Sequence, residues 1–165
     1  MIEEQRRIFL KQSMQSIGIA MCSGSLIALL QACETNEEIV SSNVNVIPFI
    51  LDLKKAEFSA LGSIGGAVYH NEATANEGND IIIIRLDQTK FLVVSSICTH
   101  QGCTVNLPSV DKSTLFCPCH FAEFSPTTGE VLVQPKQGSA TTLPIFRNEY
   151  DPTSNELTIY LPGNA

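Results

Sequence analysis

Two short segments rich in cysteine and histidine constrain this chain more than any other feature. The first reads CTHQGC, from Cys98 to Cys103, and the second reads CPCH, from Cys117 to His120. Together they hold four of the six cysteines and two of the three histidines in the 165 residues. Cysteine sulfur and imidazole nitrogen both bind transition metals. The fold must therefore bring two separate loops to one place.

The remainder of the chain from Val44 onward has the pattern of a β protein. Short apolar runs rich in Ile and Val alternate with turn residues, and no long helical period is found. The runs predict strands over 44–53, 64–70, 81–86, 91–97, 113–117, 130–135, 142–147 and 156–161. Many short strands separated by Pro and Gly turns are typical of a small antiparallel sandwich or barrel. We therefore expect an all-β fold.

Three details of the strand pattern can be tested. Pro48 favours an edge position for the first strand, because proline cannot donate a hydrogen bond to a ladder. The four residues 87–90 predict a hairpin loop between the third and fourth strands. The last strand is expected to pair with 142–147. Strands run into Cys98 and Cys117, so two hairpin-like loops should present the cysteines and histidines side by side.

Each segment offers one cysteine and one histidine at short spacing, and each has one cysteine left over. The candidate pairs are Cys98 with His100 and Cys117 with His120. The leftover cysteines are Cys103 and Cys119, and the side chains of Cys119 and its neighbour His120 diverge. Two Cys and two His could hold a tetrahedral zinc, which leaves two cysteines unexplained. A scaffold of disulfides alone leaves both histidines unexplained. His70, outside the pattern at a strand end, is expected to be a surface or structural residue.

The two segments together resemble the cluster-binding boxes of Rieske iron–sulfur proteins. The similarity covers most of residues 45–163 and includes Gly129-Glu130-Val131 and Pro135. Members of that family hold a [2Fe–2S] cluster with two Cys on one iron and two His on the other. The resemblance implies one cluster per chain and four ligands, which are Cys98, His100, Cys117 and His120. It also implies a disulfide between Cys103 and Cys119, as in the subgroup that includes the Rieske subunits of cytochrome bc complexes.

The resemblance implies electron transfer. Two thiolates bring less negative charge than four, so adding an electron costs less and the reduction potential rises. Apart from the ligands, no catalytic nucleophile or acid–base pair is visible, so we expect an electron-carrying subunit and not a catalyst by itself. The implied setting is a quinol-oxidising cytochrome bc-type complex with a cytochrome b-type or other redox subunit and a cytochrome c-type acceptor. The alternatives are the small subunit of another exported oxidoreductase, of the arsenite oxidase kind, and a stand-alone Rieske ferredoxin.

The chain departs from quinol-oxidising members after the second box. Those members usually continue Gly-Ser-x-Tyr, whose two hydroxyls bond cluster and cysteine sulfur, whereas here the residues are Phe121-Ala122-Glu123-Phe124. Hydrogen bonds to sulfur stabilise the reduced state. We therefore expect a potential below that of ubiquinol-oxidising relatives, which favours menaquinol as donor. Phe121 and Phe124 are also expected to fill the core beneath the cluster. The stretch QPKQGS, residues 134–139, is looser than the family's usual Gly- and Pro-rich loop.

The start of the chain has the pattern of an export signal. QRRIFLK, residues 5–11, resembles the twin-arginine signal through Arg6 and Arg7, and 22 uncharged residues follow up to Cys33. LLQAC, residues 29–33, resembles a bacterial lipoprotein cleavage site with Cys33 as the lipid carrier. If the chain is not cleaved at this site, the apolar segment is long enough to remain as a membrane anchor.

The predicted organisation is therefore a signal or anchor over 1–33, a flexible tether over 34–43 and the Rieske domain over 44–165. The expected location is the outer face of the bacterial cytoplasmic membrane. The formal net charge of the chain is -7. An acidic chain argues against nucleic acid as a partner, because binding to phosphates relies on Lys and Arg.

Overall fold

A computed structural model describes residues 45–164. Within that range the chain forms nine strands and two short 3₁₀ helices. The strands are β1 Val46–Asp52, β2 Ala67–His70, β3 Ile81–Arg85, β4 Phe91–Ser95, β5 Leu115–Phe116, β6 Glu123–Phe124, β7 Val131–Val133, β8 Asn148–Asp151 and β9 Glu156–Pro162. The 3₁₀ helices are Ala56–Gly62 and Asn76–Gly78. The predicted all-β fold is confirmed.

The strands form three small antiparallel sheets. Their orders are β1-β9-β8, β2-β3-β4 and β5-β6-β7. β1 lies at the edge of its sheet, as Pro48 predicts, and Pro48 faces Tyr160 of β9. The ends of the described region meet beside this sheet, where the Gly163 N–H donates to the Asn45 carbonyl at 2.6 Å.

The predicted hairpin between β3 and β4 is confirmed. Arg85 and Phe91 form its last ladder pair, and the Leu86 N–H donates to the Lys90 carbonyl at 2.8 Å. Asp87 organises the loop, because its Oδ1 accepts the N–H of Lys90 at 2.8 Å. An Asp that bonds backbone N–H groups a few residues on is a common turn device.

This hairpin is buried on both faces and separates two apolar cores. One face contributes Ile81, Ile83, Phe91 and Val93 to a core shared with β1, β9 and the first 3₁₀ helix. The other face contributes Ile82, Ile84, Leu92 and Val94 to a core that also contains Cys98 and Cys117. Because side chains alternate along a strand, the unbroken apolar runs of β3 and β4 supply both cores. The second core supports the two segments rich in cysteine and histidine.

The predicted pairing of the last strand with 142–147 is wrong. β9 pairs instead with β8, which follows that segment. Residues 142–147 lie along β4, where the Ser95 N–H donates to the Pro144 carbonyl at 2.9 Å and the Phe146 N–H donates to the Val93 carbonyl at 2.8 Å. Leu143 enters the second core and Phe146 enters the first. The apolar residues of this segment therefore serve two cores, and Pro144 has no N–H for a ladder.

Among residues 45–164, the structure contains no helix of the length and apolar character needed to cross a membrane. The predicted twin-arginine signal at Arg6 and Arg7, the lipidated Cys33 and the tether over 34–43 lie outside the described residues.

Candidate metal centre

The first ligand loop, residues 98–103, closes on itself through two backbone hydrogen bonds. The Cys98 N–H donates to the Cys103 carbonyl at 2.8 Å, and the Gly102 N–H donates to the Cys98 carbonyl at 2.9 Å. Gly102 has φ +73°, in the left-handed region that glycine adopts without steric cost. The bridge between Ile97 and Thr104 anchors the base of the loop. These hydrogen bonds define the backbone turn that carries Cys98 and His100.

The second ligand loop, residues 117–122, repeats the first. The Cys117 N–H donates to the Ala122 carbonyl at 2.9 Å, and the Phe121 N–H donates to the Cys117 carbonyl at 3.0 Å. The residue in the left-handed position is now Phe121, with φ +66°. A side chain with a Cβ is strained there. The two loops therefore share one backbone design, but only the first has glycine at the strained position.

A disulfide joins the two ligand loops. It links Cys103 to Cys119, the pair that the resemblance implies. Of the described cysteines, Cys98 and Cys117 are free, and both are buried. The disulfide therefore removes the two leftover cysteines from the set of possible ligands.

The two free thiols contact each other. Burial raises the pKa of the Cys98 thiol, and its hydrogen bond with the Cys117 side chain acts in the same direction. A thiol of this kind is neutral in the protein alone, and a nearby metal ion reverses the preference because it binds the thiolate. The pair is therefore suited to hold a metal and not to act as an exposed nucleophile.

The two histidines form a second pair. The ring centroids of His100 and His120 lie 4.7 Å apart in an edge-to-face arrangement. Within residues 45–164, their Nδ1 atoms are the buried side-chain nitrogen and oxygen atoms that lack a hydrogen-bond partner. An unsatisfied buried polar group costs about 1–3 kcal/mol, and two such atoms on adjacent rings call for a common ligand. Iron bound at Nδ1 would satisfy both.

Two thiols and two imidazoles in separate pairs fit a cluster with two irons. In the described part of the chain, no group of three or more His, Cys, Asp or Glu side chains is placed so that it could hold a single metal ion. A binuclear cluster needs one pair at each iron. The residues present therefore fit a [2Fe–2S] group, with Cys98 and Cys117 suited to one iron and His100 and His120 to the other.

The segment 134–140 covers one side of the histidine pair. A Cβ built at Gly138 would lie 2.9 Å from Nε2 of His100, so the backbone approaches the outer edge of that ring closely. The side chain of Gln134 closes the segment by accepting the Ala140 N–H at 2.9 Å. Pro135 is buried. A segment that looks loose in sequence thus packs against His100.

Two further sequence predictions have clear outcomes. Phe124 is fully buried in the second core, as predicted, but Phe121 is 46 % exposed, so its predicted place in the core is wrong. The left-handed turn points the Phe121 ring outward.

His70 ends β2 and bonds Glu72 at 2.8 Å, which confirms its structural role.

Comparison with known proteins decides the family. The sequence profile of the Rieske [2Fe–2S] domain matches residues 67–147, which include both ligand loops. This chain carries a Rieske [2Fe–2S] domain. A Rieske domain binds a [2Fe–2S] cluster, and its function is electron transfer.

Curated relatives of this Rieske protein are subunits of larger assemblies. The menaquinol:cytochrome c reductase iron-sulfur subunit of Geobacillus thermodenitrificans is 24 % identical over 160 residues, which cover 92 % of this chain and 88 % of the relative. The cytochrome b6-f complex iron-sulfur subunit of Chlorobaculum thiosulfatiphilum is 24 % identical over 135 residues, covering 82 % and 66 %. A Haloferax mediterranei protein named for a respiratory nitrate reductase Rieske subunit is 41 % identical over 56 residues, covering 33 % and 24 %. This chain therefore spans about a quarter of that last relative.

Sequence reasoning missed two neighbours of the candidate ligands His100 and His120. Gly138 packs on His100, and the Lys136 N–H donates to the His120 carbonyl at 3.1 Å. Both lie in the segment after β7, where the pattern QPKQGS gives no periodicity that would place it against the ligand loops. Only the glycine, which adopts φ +73°, was a local signal of close approach.

Proposed function

We propose that this protein is the iron–sulfur subunit of a quinol-oxidising cytochrome bc-type complex. Cys98 and Cys117 hold one iron of the [2Fe–2S] cluster, and His100 and His120 hold the other. The cluster supplies a site that takes up and releases one electron. The chain holds the ligands in a fixed arrangement and keeps the thiolates buried, while the disulfide between Cys103 and Cys119 ties the two ligand loops together.

The observation that carries this proposal is the pair of unpartnered Nδ1 atoms beside the pair of free buried thiols. Two relatives support the setting, because their names place them in a menaquinol:cytochrome c reductase and a cytochrome b6-f complex. On this proposal the partners are a cytochrome b-type subunit, a cytochrome c-type acceptor and a quinol. Menaquinol is the favoured donor because Ala122 and Phe124 lack the hydroxyls that raise the potential in ubiquinol-oxidising members.

The ligand assignment is tested on purified full-length protein by iron and sulfide analysis and by paramagnetic resonance of the dithionite-reduced form. Incorporating ¹⁵N-histidine should change the nitrogen couplings of the signal. Replacing any one ligand, for example His120→Gln or Cys98→Ser, should abolish the native signal. The matched control is His70→Gln, which should keep it. Stoichiometric zinc without iron, or an unchanged signal in His120→Gln, would refute the assignment.

We also propose that the domain is exported and tethered to the outer face of the cytoplasmic membrane. The support is the sequence RRIFLK with the apolar segment that ends at Cys33. Replacing Arg6 and Arg7 by Lys should leave the protein in the cytoplasm, because the twin-arginine pathway discriminates against Lys at this pair. Cys33→Ala should stop incorporation of radiolabelled palmitate. A mature protein that still carries residues 12–32 would instead support an uncleaved anchor.

A second candidate is the Rieske subunit of a different respiratory oxidoreductase. The observation in its favour is the 41 % identity over 56 residues to a relative named for a respiratory nitrate reductase. The two candidates differ in the partner that copurifies with the tagged chain in mild detergent. A cytochrome b supports the first candidate, and a large subunit with a molybdenum cofactor supports the second.

A further inference from the structure

Phe121 is the unusual residue of the second ligand loop. It occupies the left-handed position, φ +66°, that Gly102 occupies in the first loop. Its ring is half-exposed, so burial in a core does not hold it there. A strained backbone conformation of a residue with a Cβ persists only where its surroundings fix it. The hydrogen bond from the Phe121 N–H to the Cys117 carbonyl closes the turn, and the exposed Phe121 ring is free to make further contacts that hold this conformation.

Lys136 contacts this part of the loop in two ways. Its ammonium lies 4.0 Å from the centroid of the Phe121 ring, and its main-chain N–H donates to the His120 carbonyl at 3.1 Å. An ammonium over the face of an aromatic ring is attracted by the ring quadrupole. Lys136 thus contacts both the side chain of Phe121 and the backbone of His120.

A second lysine contacts the aromatic ring next to Phe121, which is that of Phe116. The rings of Phe116 and Phe121 lie 6.1 Å apart, and the ammonium of Lys112 lies 3.7 Å from the Phe116 centroid. Lys112 is itself fixed by its ion pair with Glu123 at 2.6 Å. Two rings and two ammonium groups therefore form one connected row beside the second ligand loop.

We propose that Lys136 is a positioning residue for His120, acting through Phe121. The ammonium holds the exposed ring in place, the ring holds residue 121 in its left-handed conformation, and that conformation sets the direction of the preceding imidazole. The first ligand loop needs no such clamp, because Gly102 adopts the same conformation without strain. The inference rests on the proposed function, in which His120 is a ligand of the cluster.

The test measures how fast the full-length holoprotein loses its cluster in excess iron chelator, together with the histidine nitrogen couplings in paramagnetic resonance. Lys136→Met keeps the length of the side chain but removes the charge, and cluster loss should become about two- to fivefold faster, with broadened couplings. Lys136→Arg should restore both properties, since a guanidinium also lies well on a ring. Lys90→Met, an exposed lysine in the β3–β4 loop, is the control for lost charge.

A double-mutant cycle separates the clamp from a general effect of charge. Phe121→Leu keeps the Cβ and its strain but removes the ring. In the Phe121→Leu background, Lys136→Met should have no further effect on cluster loss, whereas a long-range effect of charge would persist. Equal rates of cluster loss in wild type and Lys136→Met, with normal histidine couplings in both, would overturn the positioning role of Lys136 and leave the ligand assignment intact. Absence of histidine couplings in wild type would instead overturn the ligand assignment.

Discussion

The Cys117 N–H donates to the Ala122 carbonyl at 2.9 Å, so residue 122 belongs to the turn that carries a proposed ligand. Ala122 is fully buried. Its side chain belongs to the same apolar core as Cys98 and Cys117, so a hydroxyl at this position would be shielded from water. We therefore expect a hydrogen-bond donor at residue 122 to change the reduction potential of the proposed cluster.

Ala122→Ser should raise the midpoint potential. A hydroxyl that bonds sulfur stabilises the reduced state, and a hydrogen bond of about 1 kcal/mol corresponds to roughly 40 mV for a one-electron couple. Protein-film voltammetry measures the shift. Ala140→Ser, in the same core but outside both ligand loops, is the matched control and should shift the potential less. An unchanged potential in Ala122→Ser would contradict the tuning hypothesis.

Phe124→Tyr should also raise the potential. Phe124 is fully buried opposite Leu115 in the β5–β6 ladder, so an added hydroxyl has to find a partner inside the domain. If it bonds sulfur, voltammetry should show a rise of the same order as for Ala122→Ser. If the hydroxyl stays unpaired, the free energy of unfolding falls by about 1–3 kcal/mol without a rise, and the prediction is wrong.

Removing the disulfide should destabilise the domain. Cys103 and Cys119 are 16 residues apart, and closing a loop of this size is worth about 3 kcal/mol in the chain-entropy model. The double variant Cys103→Ala/Cys119→Ala should lose about that much free energy of unfolding in anaerobic urea denaturation. Thiol reductant should lower the stability of wild type to the same level and leave the variant unchanged. Equal stability of wild type and variant would show that the bond contributes little.

Acid should destabilise the β3–β4 and β8–β9 turns. The N–H groups of Thr89 and Lys90 hold the pKa of the Asp87 carboxyl below its usual 3.8, with Thr89 the larger cause. The Thr153 N–H similarly lowers the pKa of Asp151. A carboxyl with a lowered pKa in the folded state contributes stability above its unfolded pKa, and this contribution is lost as the pH falls through the folded value.

Asp87→Asn should therefore flatten the acid limb of the stability curve. As the pH falls below about 4, the free energy of unfolding should fall less in the variant than in wild type. Asp151→Asn should act independently, so the double variant should show the sum of the two changes. Urea denaturation at a series of pH values measures this. If the stability of the double variant falls with acid as steeply as that of wild type, these two carboxylates do not contribute to the acid sensitivity of the domain.

Two neighbouring residues of β3 should affect the cluster differently. Ile82 and Ile83 are both fully buried, but Ile82 packs in the core that contains Cys98 and Cys117, whereas Ile83 packs in the other. Replacing either by Val should cost about 0.5–1.5 kcal/mol. Only Ile82→Val should alter the visible circular dichroism of the cluster. The same spectral change in Ile83→Val would mean that the two cores are not independent.

The sequence was most informative where one local rule decided the structure. The apolar runs of β3 and β4 and the turn residues between them predicted the hairpin, and Pro48 predicted the edge. The spacing of Cys98, His100, Cys117 and His120 predicted the loops that the structure brings together. Each of these features depends on residues close together in sequence.

Other features depended on contacts that no local pattern reveals. Residues 142–147 look like a strand, but Leu143 and Phe146 enter different cores. β8, with the sequence NEYD, has no apolar alternation and forms because its backbone pairs with β9 in an antiparallel ladder. Phe121 looks like a core residue, but its left-handed backbone turns it outward. Lys136 could be recognised beside His120 only once the fold was known.

The hydrogen bond from Gly163 to Asn45 means that the two ends of the described region, residues 45–164, lie side by side. A short Gly/Ser linker can join these ends, so the same strands can be connected in a different order along the chain without changing the fold. A circular permutant opened at residues 152–155, in the β8–β9 turn, keeps every strand and both ligand loops whole. The iron–sulfur module can thus be fused to an electrode-binding or redox partner through a new terminus of the designer's choice.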